Sequence, residues 1–108
     1  MAEEILLALS TFPDAENAHS IAEQLVTDRL VACANILPAV QSIYRWEGKV
    51  EKAAETMVLF KTTESRLPAL QAKLKTLHPY DVPEIVAVRV SDGLPEYLQW
   101  VSENCSAT

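Results

Sequence analysis

The segment LHPYDVPEI, residues 77–85, concentrates side chains that could do chemistry. Four of them could converge on a cleft: His78, Tyr80, Asp81 and Glu84. Imidazole nitrogen and carboxylate oxygen are ligands for divalent cations, and the same groups can act as general acids and bases. Lys61, at the end of a predicted strand, could face the same cleft. These residue types predict either a cation site or a set of acid–base groups.

His78 is the natural candidate for a metal ligand, because neutral imidazole binds Cu(II) readily and carboxylates can complete the coordination shell. The alternative is a structural role, in which the imidazole hydrogen-bonds locally and fixes the connector. Pro79 and Pro83 fix their own φ and hold the residues before them out of helical geometry. The segment is therefore a helix stop and a strand start, whether or not His78 binds a metal.

Enzyme motifs are absent from the sequence. It has no glycine-rich phosphate loop, no nucleophile elbow and no HExxH motif. No nucleophile can be paired with a base from the sequence alone. We therefore predict that the protein is not an enzyme.

The two cysteines and the second histidine have simpler interpretations. Cys33 lies among small apolar residues of a predicted strand, which favours a buried hydrophobe over a metal ligand or a reactive thiol. Cys105 is close to the end of the chain and is expected to be mobile, with metal binding by either thiol left open. His19 lies among polar neighbours and is assigned to a solvated helix face.

Composition limits the possible partners and compartments. The 108 residues predict one domain, 1–108, and the net charge of −6 argues against a nucleic-acid surface, which requires clustered Lys and Arg. No stretch approaches the roughly 20 apolar residues of a membrane span, so no membrane partner is expected. The N-terminus lacks a basic leader region, and two cysteines fit a reducing compartment. These features predict a cytoplasmic protein.

The first half of the chain reads as strand, helix, strand. Ile5–Leu9 is a short apolar run typical of a strand, and Asp14 is a predicted N-cap for an amphipathic helix over 15–30. Residues 31–46 have a β-like pattern. Pro38 interrupts that pattern and predicts a bulge or an edge position.

The second half reads as strand, helix, strand and a final helix. Residues 46–49 (WEGK) are a predicted turn that joins 31–46 to a strand over 56–62, giving a long hairpin. Ser65 is the predicted N-cap of the next helix, with Pro68 in its first turn and a stripe of leucines up to the stop at His78–Pro79. Residues 85–90 are the last predicted strand, and Pro95 begins a short helix. The order β-α-β-β-α-β plus a C-terminal helix predicts an α+β, ferredoxin-like fold.

The predicted hairpin is too long for a compact subunit of this size. Residues 31–46 would span about 50 Å if fully extended, whereas a compact domain of this length has a radius of gyration of about 13 Å. The hairpin must therefore bend sharply or extend beyond its own domain. We favour strand pairing between subunits of a closed oligomer, in which Trp46 at the hairpin tip anchors the contact.

Four stretches in collinear order resemble the CutA divalent-cation tolerance family: LVACANILPAVQSIYRWEGKVE (30–51), Lys61-Thr62, HPYDVPEI (78–85) and EYLQW (96–100). The resemblance covers nearly the whole chain. It implies a ferredoxin-like subunit in a tight homotrimer, with the long hairpins pairing across subunits. It also implies a link to tolerance of copper and other divalent cations, and a trimer similar to that of the PII nitrogen-signalling proteins.

The same resemblance implies where copper would bind. The ligands proposed in the family are a cysteine at the end of the first strand and two adjacent histidines, and here those positions hold Ser10, Leu77 and His78. We therefore expect only weak Cu(II) binding at His78. The alternative function is a PII-like regulatory module that binds a small anionic ligand or a partner protein in the cleft between subunits.

Overall fold

The computed structural model describes residues 3–106. The elements follow the order β1 (Ile5–Phe12), α1 (Ala15–Thr27), β2 (Cys33–Trp46), β3 (Lys49–Thr63), α2 (Leu67–Leu77), β4 (Val86–Arg89) and α3 (Pro95–Asn104). The four strands form one antiparallel sheet in the order β2-β3-β1-β4. This confirms the predicted α+β, ferredoxin-like arrangement with an additional C-terminal helix.

The β2–β3 hairpin is longer than the body of the subunit. β1 pairs with β3 only as far as Phe12 and Thr56, whereas β2 and β3 stay paired out to Trp46 and Lys49. The outer part of the hairpin, residues 40–55, therefore has two strands and no third neighbour, and we call it the arm. The subunit measures 47 × 25 × 22 Å, so the hairpin extends outward and does not fold back on the sheet.

A β-bulge separates the arm from the body. Leu37 pairs with Met57 and Val40 pairs with Glu55, so two residues of β2 stand opposite one residue of β3. One of the two, Ala39, has a φ of 62°, which is left-handed and uncommon for a residue with a side chain. The bulge predicted at Pro38 is confirmed, and β2 is also an edge strand of the sheet.

The hairpin turn has the chemistry that its sequence predicted. Glu47 and Gly48 are the two loop residues, with φ values of 49° and 78°. Positive φ at both positions is the pattern of a type I′ turn, whose twist matches that of the flanking strands.

Two helices cover one face of the sheet. Alternate residues of β1 and β3 point to this face and pack with apolar residues of α1 and α2. The main members of this core are Ala8, Phe12, Val58, Phe60, Ala18, Ile21, Ala22, Leu25, Leu70 and Leu74. The apolar stripes predicted for both helices are confirmed, except that Val26 of α1 is 38% exposed.

The opposite face of the sheet, which we call the open face, is covered only in part. Strand alternation and register place apolar side chains on it, including Leu7, Leu9, Met57, Leu59, Val86 and Val88. Val86 and Val88 remain 47% and 51% exposed. The helix α3 covers one end of this face, where a second core cluster joins Ile5, Ala32, Val101 and Cys105. Cys105 is 1% exposed, which corrects the expectation that it is mobile.

Several predicted boundaries were wrong. The first helix ends at Thr27 rather than residue 30, because Arg29 takes a left-handed φ of 60°. Leu30 N–H then donates to Leu25 C=O at 3.1 Å and Arg29 N–H to Val26 C=O at 3.0 Å, which is a Schellman motif. The guanidinium of Arg29 donates to the main-chain oxygens of Glu103 and Ser106, so the same residue also fixes the end of α3.

The N-cap predicted at Ser65 was also wrong. Arg66 occupies the N-cap position, and its side chain does not cap the helix. Ser65 N–H instead donates to a carboxylate oxygen of Glu3 at 2.9 Å. Pro68 is the second helical residue, where its missing N–H costs no helical bond. β3 is longer than predicted. β4 spans only Val86–Arg89 and not 85–90, although the N–H of Val90 still donates to Ile5 C=O on β1 at 3.0 Å.

Candidate functional site

His78 lies where α2 stops and the connector to β4 begins. Its backbone is extended, with φ −71° and ψ 137°, and its N–H still donates to Leu74 C=O at 2.9 Å. The imidazole turns into the core, where it stacks on the ring of Phe12 with 4.5 Å between centroids. Only 7% of the residue is exposed. The helix stop therefore places this side chain at the end of β1 and not in an open cleft.

Both ring nitrogens of His78 have main-chain partners. The N–H of Tyr80 donates to Nδ1 at 3.1 Å, so Nδ1 acts as the acceptor. Nε2 lies 2.8 Å from the carbonyl oxygen of Thr11, which can only accept, so the ring proton is on Nε2. The neutral imidazole thus links the connector to the end of β1. Both of its ring nitrogens are used in hydrogen bonds.

Electrostatics keep this imidazole neutral. Burial lowers the pKa of His78 below its usual value, and the hydrogen bond to Thr11 and the nearby Glu55 offset only part of that effect. A proton added at Nδ1 would also face the N–H of Tyr80, with no acceptor between them.

The donors around His78 do not fit a dedicated copper site. A cation at Nδ1 would displace the Tyr80 N–H, and one at Nε2 would displace the bond to Thr11. Ser10 is fully buried, and its hydroxyl has no hydrogen-bond partner in the described part of the chain. Within residues 3–106 no group of three or more His, Cys, Asp or Glu side chains could hold a metal ion.

Tyr80 has a partner that the sequence did not reveal. Its hydroxyl donates to Oε2 of Glu55 on β3 at 2.6 Å, and Glu55 is 9% exposed. Burial raises the pKa of Tyr80, and the hydrogen bond to Glu55 raises it further, so the phenol keeps its proton and acts as the donor. The only sequence signal for this contact was that Glu55 is an acidic residue beside the apolar run 56–60. Its partner Tyr80 lies 25 residues away, and spacing alone could not identify it.

Lys61 lies on the open face in a separate polar group. Its ammonium donates to the side-chain oxygen of Asn35, and Cys33, its register partner on β2, has its sulfur 3.6 Å from the hydroxyl of Tyr97 on α3. The contact with Cys33, together with burial, raises the pKa of Tyr97 to about 12. Neither Asn35 nor Tyr97 was predicted, because the contacts depend on strand register and on where α3 packs. Cys33 is half-buried rather than a fully buried hydrophobe.

The predicted cleft residues do not meet within one subunit. Glu55, the partner of Tyr80, precedes Lys61 by six residues on β3, which corresponds to about 20 Å along the strand. Asp81 and Glu84 are exposed, and Asp81 lines a shallow groove with Lys75 and Pro83. Trp46 is 49% exposed at the end of the arm, and His19 is exposed on α1 as expected.

Known proteins resemble this chain along almost its full length. The family model described as CutA1 divalent ion tolerance protein matches residues 6–104. The divalent-cation tolerance protein CutA of Thermus thermophilus is 49% identical over 102 residues, which cover 94% of this chain and 97% of that protein. The chain belongs to the CutA family. A solved CutA1 structure from Oryza sativa superposes with a TM-score of 0.95 at 36% identity, covering 99% of this chain and 98% of the other.

Other CutA proteins differ in length and in location. Protein CutA of Mus musculus is 42% identical over 89% of this chain, which spans only 54% of the mouse protein. A solved CutA from Archaeoglobus fulgidus, 34% identical with a TM-score of 0.91 over 94% of this chain and 99% of that one, is described as periplasmic. Among residues 3–106, no helix is long and apolar enough to cross a membrane.

Proposed function

We propose that this CutA chain acts in divalent-cation tolerance as a homotrimer without enzymatic activity, and that its direct binding of copper is weak. Family membership supports the link to divalent cations, because the matching family and its relatives are named for that tolerance. The observation that carries the trimer is the apolar surface left exposed on the arm and the open face. We place the trimer in the cytoplasm, as the composition predicts.

The exposed apolar residues are concentrated where a second copy could cover them. On the arm, Ile43, Val50 and Trp46 are 70%, 62% and 49% exposed. The sheet also has an unpaired edge at β4, next to the exposed valines of the open face. Such an edge beside an apolar surface aggregates unless it is covered, and a closed ring of identical subunits covers it without leaving a free end. The resemblance to CutA supports three copies.

Light scattering and copper titration test both halves of this proposal. The protein should scatter with roughly three times the 12.0 kDa chain mass, and a stable monomer at micromolar concentration would contradict the trimer. Titration calorimetry with Cu(II) should show weak binding that His78→Ala abolishes. His19→Ala is the matched control, since it removes the only other histidine, which is exposed. Tight, stoichiometric binding that survives His78→Ala would overturn the assignment of the site.

A PII-like regulatory role is the second candidate, and the polar group on the open face favours it. Lys61 there is flanked by the amide of Asn35 and, across Cys33, by the hydroxyl of Tyr97. The ammonium is held by the side-chain oxygen of Asn35, and the Asn35 amide and the Tyr97 hydroxyl can each also donate a hydrogen bond, which suits a small anion in a cleft between subunits. A ligand that binds only the folded protein raises its melting temperature with concentration. A screen of anionic metabolites should then yield a shift that Lys61→Met removes, and no shift with any of them would rule against this role.

A further inference from the structure

Three structural features coincide at the base of the arm. The third strand of the body ends there, because Phe12 is the last residue of β1 and pairs with Thr56. The β2 bulge lies at the same level, between Leu37 and Val40. Glu55 stands directly opposite Val40, at the first position of β3 beyond the reach of β1. The sheet thus changes from three strands to two at the point where β2 is irregular.

A chain of hydrogen bonds crosses this point from the body. Thr11, one residue before the end of β1, accepts from Nε2 of His78 at 2.8 Å. His78 accepts at Nδ1 from the N–H of Tyr80 at 3.1 Å, and the hydroxyl of Tyr80 donates to Glu55 at 2.6 Å. The rings of His78 and Tyr80 are in contact, with 4.9 Å between centroids, and the ring of Phe12 stacks on that of His78. The connector therefore links the end of β1 to the first arm residue of β3.

We propose that this chain of contacts is a latch that fixes the direction of the arm relative to the body. Tyr80 is then a positioning residue for assembly, because the arm must leave each subunit in one direction to meet the next copy. The inference rests on the proposed trimer for its biological meaning, but the latch itself is a property of one subunit.

The position of Glu55 makes this contact more than a surface hydrogen bond. The carboxyl group is almost fully buried, and a buried acceptor that loses its partner is driven toward water. In Tyr80→Phe the Glu55 carboxylate keeps its burial but loses the hydroxyl of Tyr80, so opening of the base of the arm toward water becomes more favourable. The bulge, with its left-handed Ala39, interrupts the β2–β3 ladder at the same level, so the ladder resists that opening less there.

Hydrogen exchange on matched variants tests the latch. In Tyr80→Phe, amides of residues 40–55 should exchange on the order of tenfold faster, the factor expected for losing a hydrogen bond of this type. Amides of α1 and β1 should be unchanged. Tyr97→Phe is the control, because it removes the same hydroxyl at the 3.6 Å contact with Cys33 on the open face, away from the arm. Glu55→Gln keeps a carbonyl acceptor for Tyr80 and should stay within about twofold of the wild type.

The outcomes separate this inference from the proposed trimer. Arm exchange in Tyr80→Phe equal to that in Tyr97→Phe would overturn the latch, as would faster exchange throughout the chain, which would indicate general loss of stability. Light scattering on the same samples reports the trimer independently. If the wild type is a monomer, the trimer proposal fails, and the exchange comparison still decides whether Tyr80 holds the arm. The latch and the trimer are both supported if the wild type is a trimer and the Tyr80→Phe trimer dissociates at a higher protein concentration than the wild-type trimer does. Hydrogen exchange in that variant should then be raised only in the arm.

Discussion

His78 shows how one side chain can satisfy a structural need and thereby weaken a chemical one. A histidine after a helix and before a proline suggested a metal ligand, but its two nitrogens bridge Tyr80 N–H and Thr11 C=O inside the core. A metal must compete with those bonds, and this chain has Ser10 and Leu77 at the positions where the family resemblance implies further ligands. The same buried geometry disfavours the protonated imidazole, so the stability of the fold should depend on pH.

The pKa of His78 predicts a loss of stability on acidification. Because its pKa is lower in the folded state, the unfolded chain binds more protons as the pH drops through about 6.5. The contribution of His78 is therefore complete above that pH and decreases below it, with a slope of at most about 1.4 kcal/mol per pH unit. Urea unfolding at pH 5 to 8 should show this slope in the wild type and in His19→Gln. In His78→Gln it should be absent, and an unchanged slope there would contradict the prediction.

Ser10 gives a prediction of opposite sign to most core substitutions. Its buried hydroxyl has no partner within the described residues, so Ser10→Ala should leave the free energy of unfolding unchanged or raise it by about 1 kcal/mol. Thr62→Val is the matched control: the Thr62 hydroxyl, also buried, donates to Leu30 C=O at 2.8 Å, and its loss should cost about 1–2 kcal/mol. Chemical denaturation measures both, and a clear loss of stability in Ser10→Ala would show that the hydroxyl has a bound partner.

At the scale of elements, the hairpin shows what local sequence determines. The turn, the bulge at Pro38 and the long β2 could be predicted, because positive φ, the missing proline N–H and alternation of apolar residues act over a few positions. The end of α1 and the cap of α2 were missed, because a left-handed Arg29 and an N-cap without a side-chain bond leave little signal. The partners of Tyr80 and Lys61 lie 25 and 26 residues away. Strand register brings Asn35 to Lys61, and the path of the connector brings Tyr80 to Glu55.

Two of the three left-handed residues of the hairpin, Gly48 and Ala39, should respond oppositely to substitution. Gly48→Ala adds a side chain at φ 78° and should destabilise the protein by about 1 kcal/mol, although space is free around the new Cβ. Ala39→Gly removes a side chain at φ 62° and should be neutral or stabilise the protein by up to about 1 kcal/mol. Relief of backbone strain favours the folded state, but glycine also makes the unfolded chain more flexible, which offsets part of the gain. Thermal unfolding of the pair checks the signs. Equal losses in both would mean that contacts, and not backbone conformation, govern the hairpin.

At the scale of the whole molecule, sixteen of the 108 residues form the arm, and none of them belongs to either apolar core cluster. In isolation that arrangement gains no stability from the apolar side chains of the arm and leaves β4 as an open edge. If identical subunits meet through the open face, one contact can explain three features. These are the exposed arm, the exposed valines on β4 and the polar group around Lys61. Folding and assembly are then coupled, and stability should rise with protein concentration.

A charge on the open face should therefore break the assembly without unfolding the subunit. Val88→Asp places a carboxylate on a strand position that is 51% exposed in the single chain, where water can solvate it. In the trimer the same carboxylate would be buried without a partner, which is strongly unfavourable. Val82→Asp is the matched control, because Val82 is 71% exposed on the connector and lies outside the sheet. Light scattering should give a mass near one chain for Val88→Asp and about three for Val82→Asp, with unchanged circular dichroism in both. If Val88→Asp keeps the mass of the wild type, the open face is not the surface through which the subunits meet.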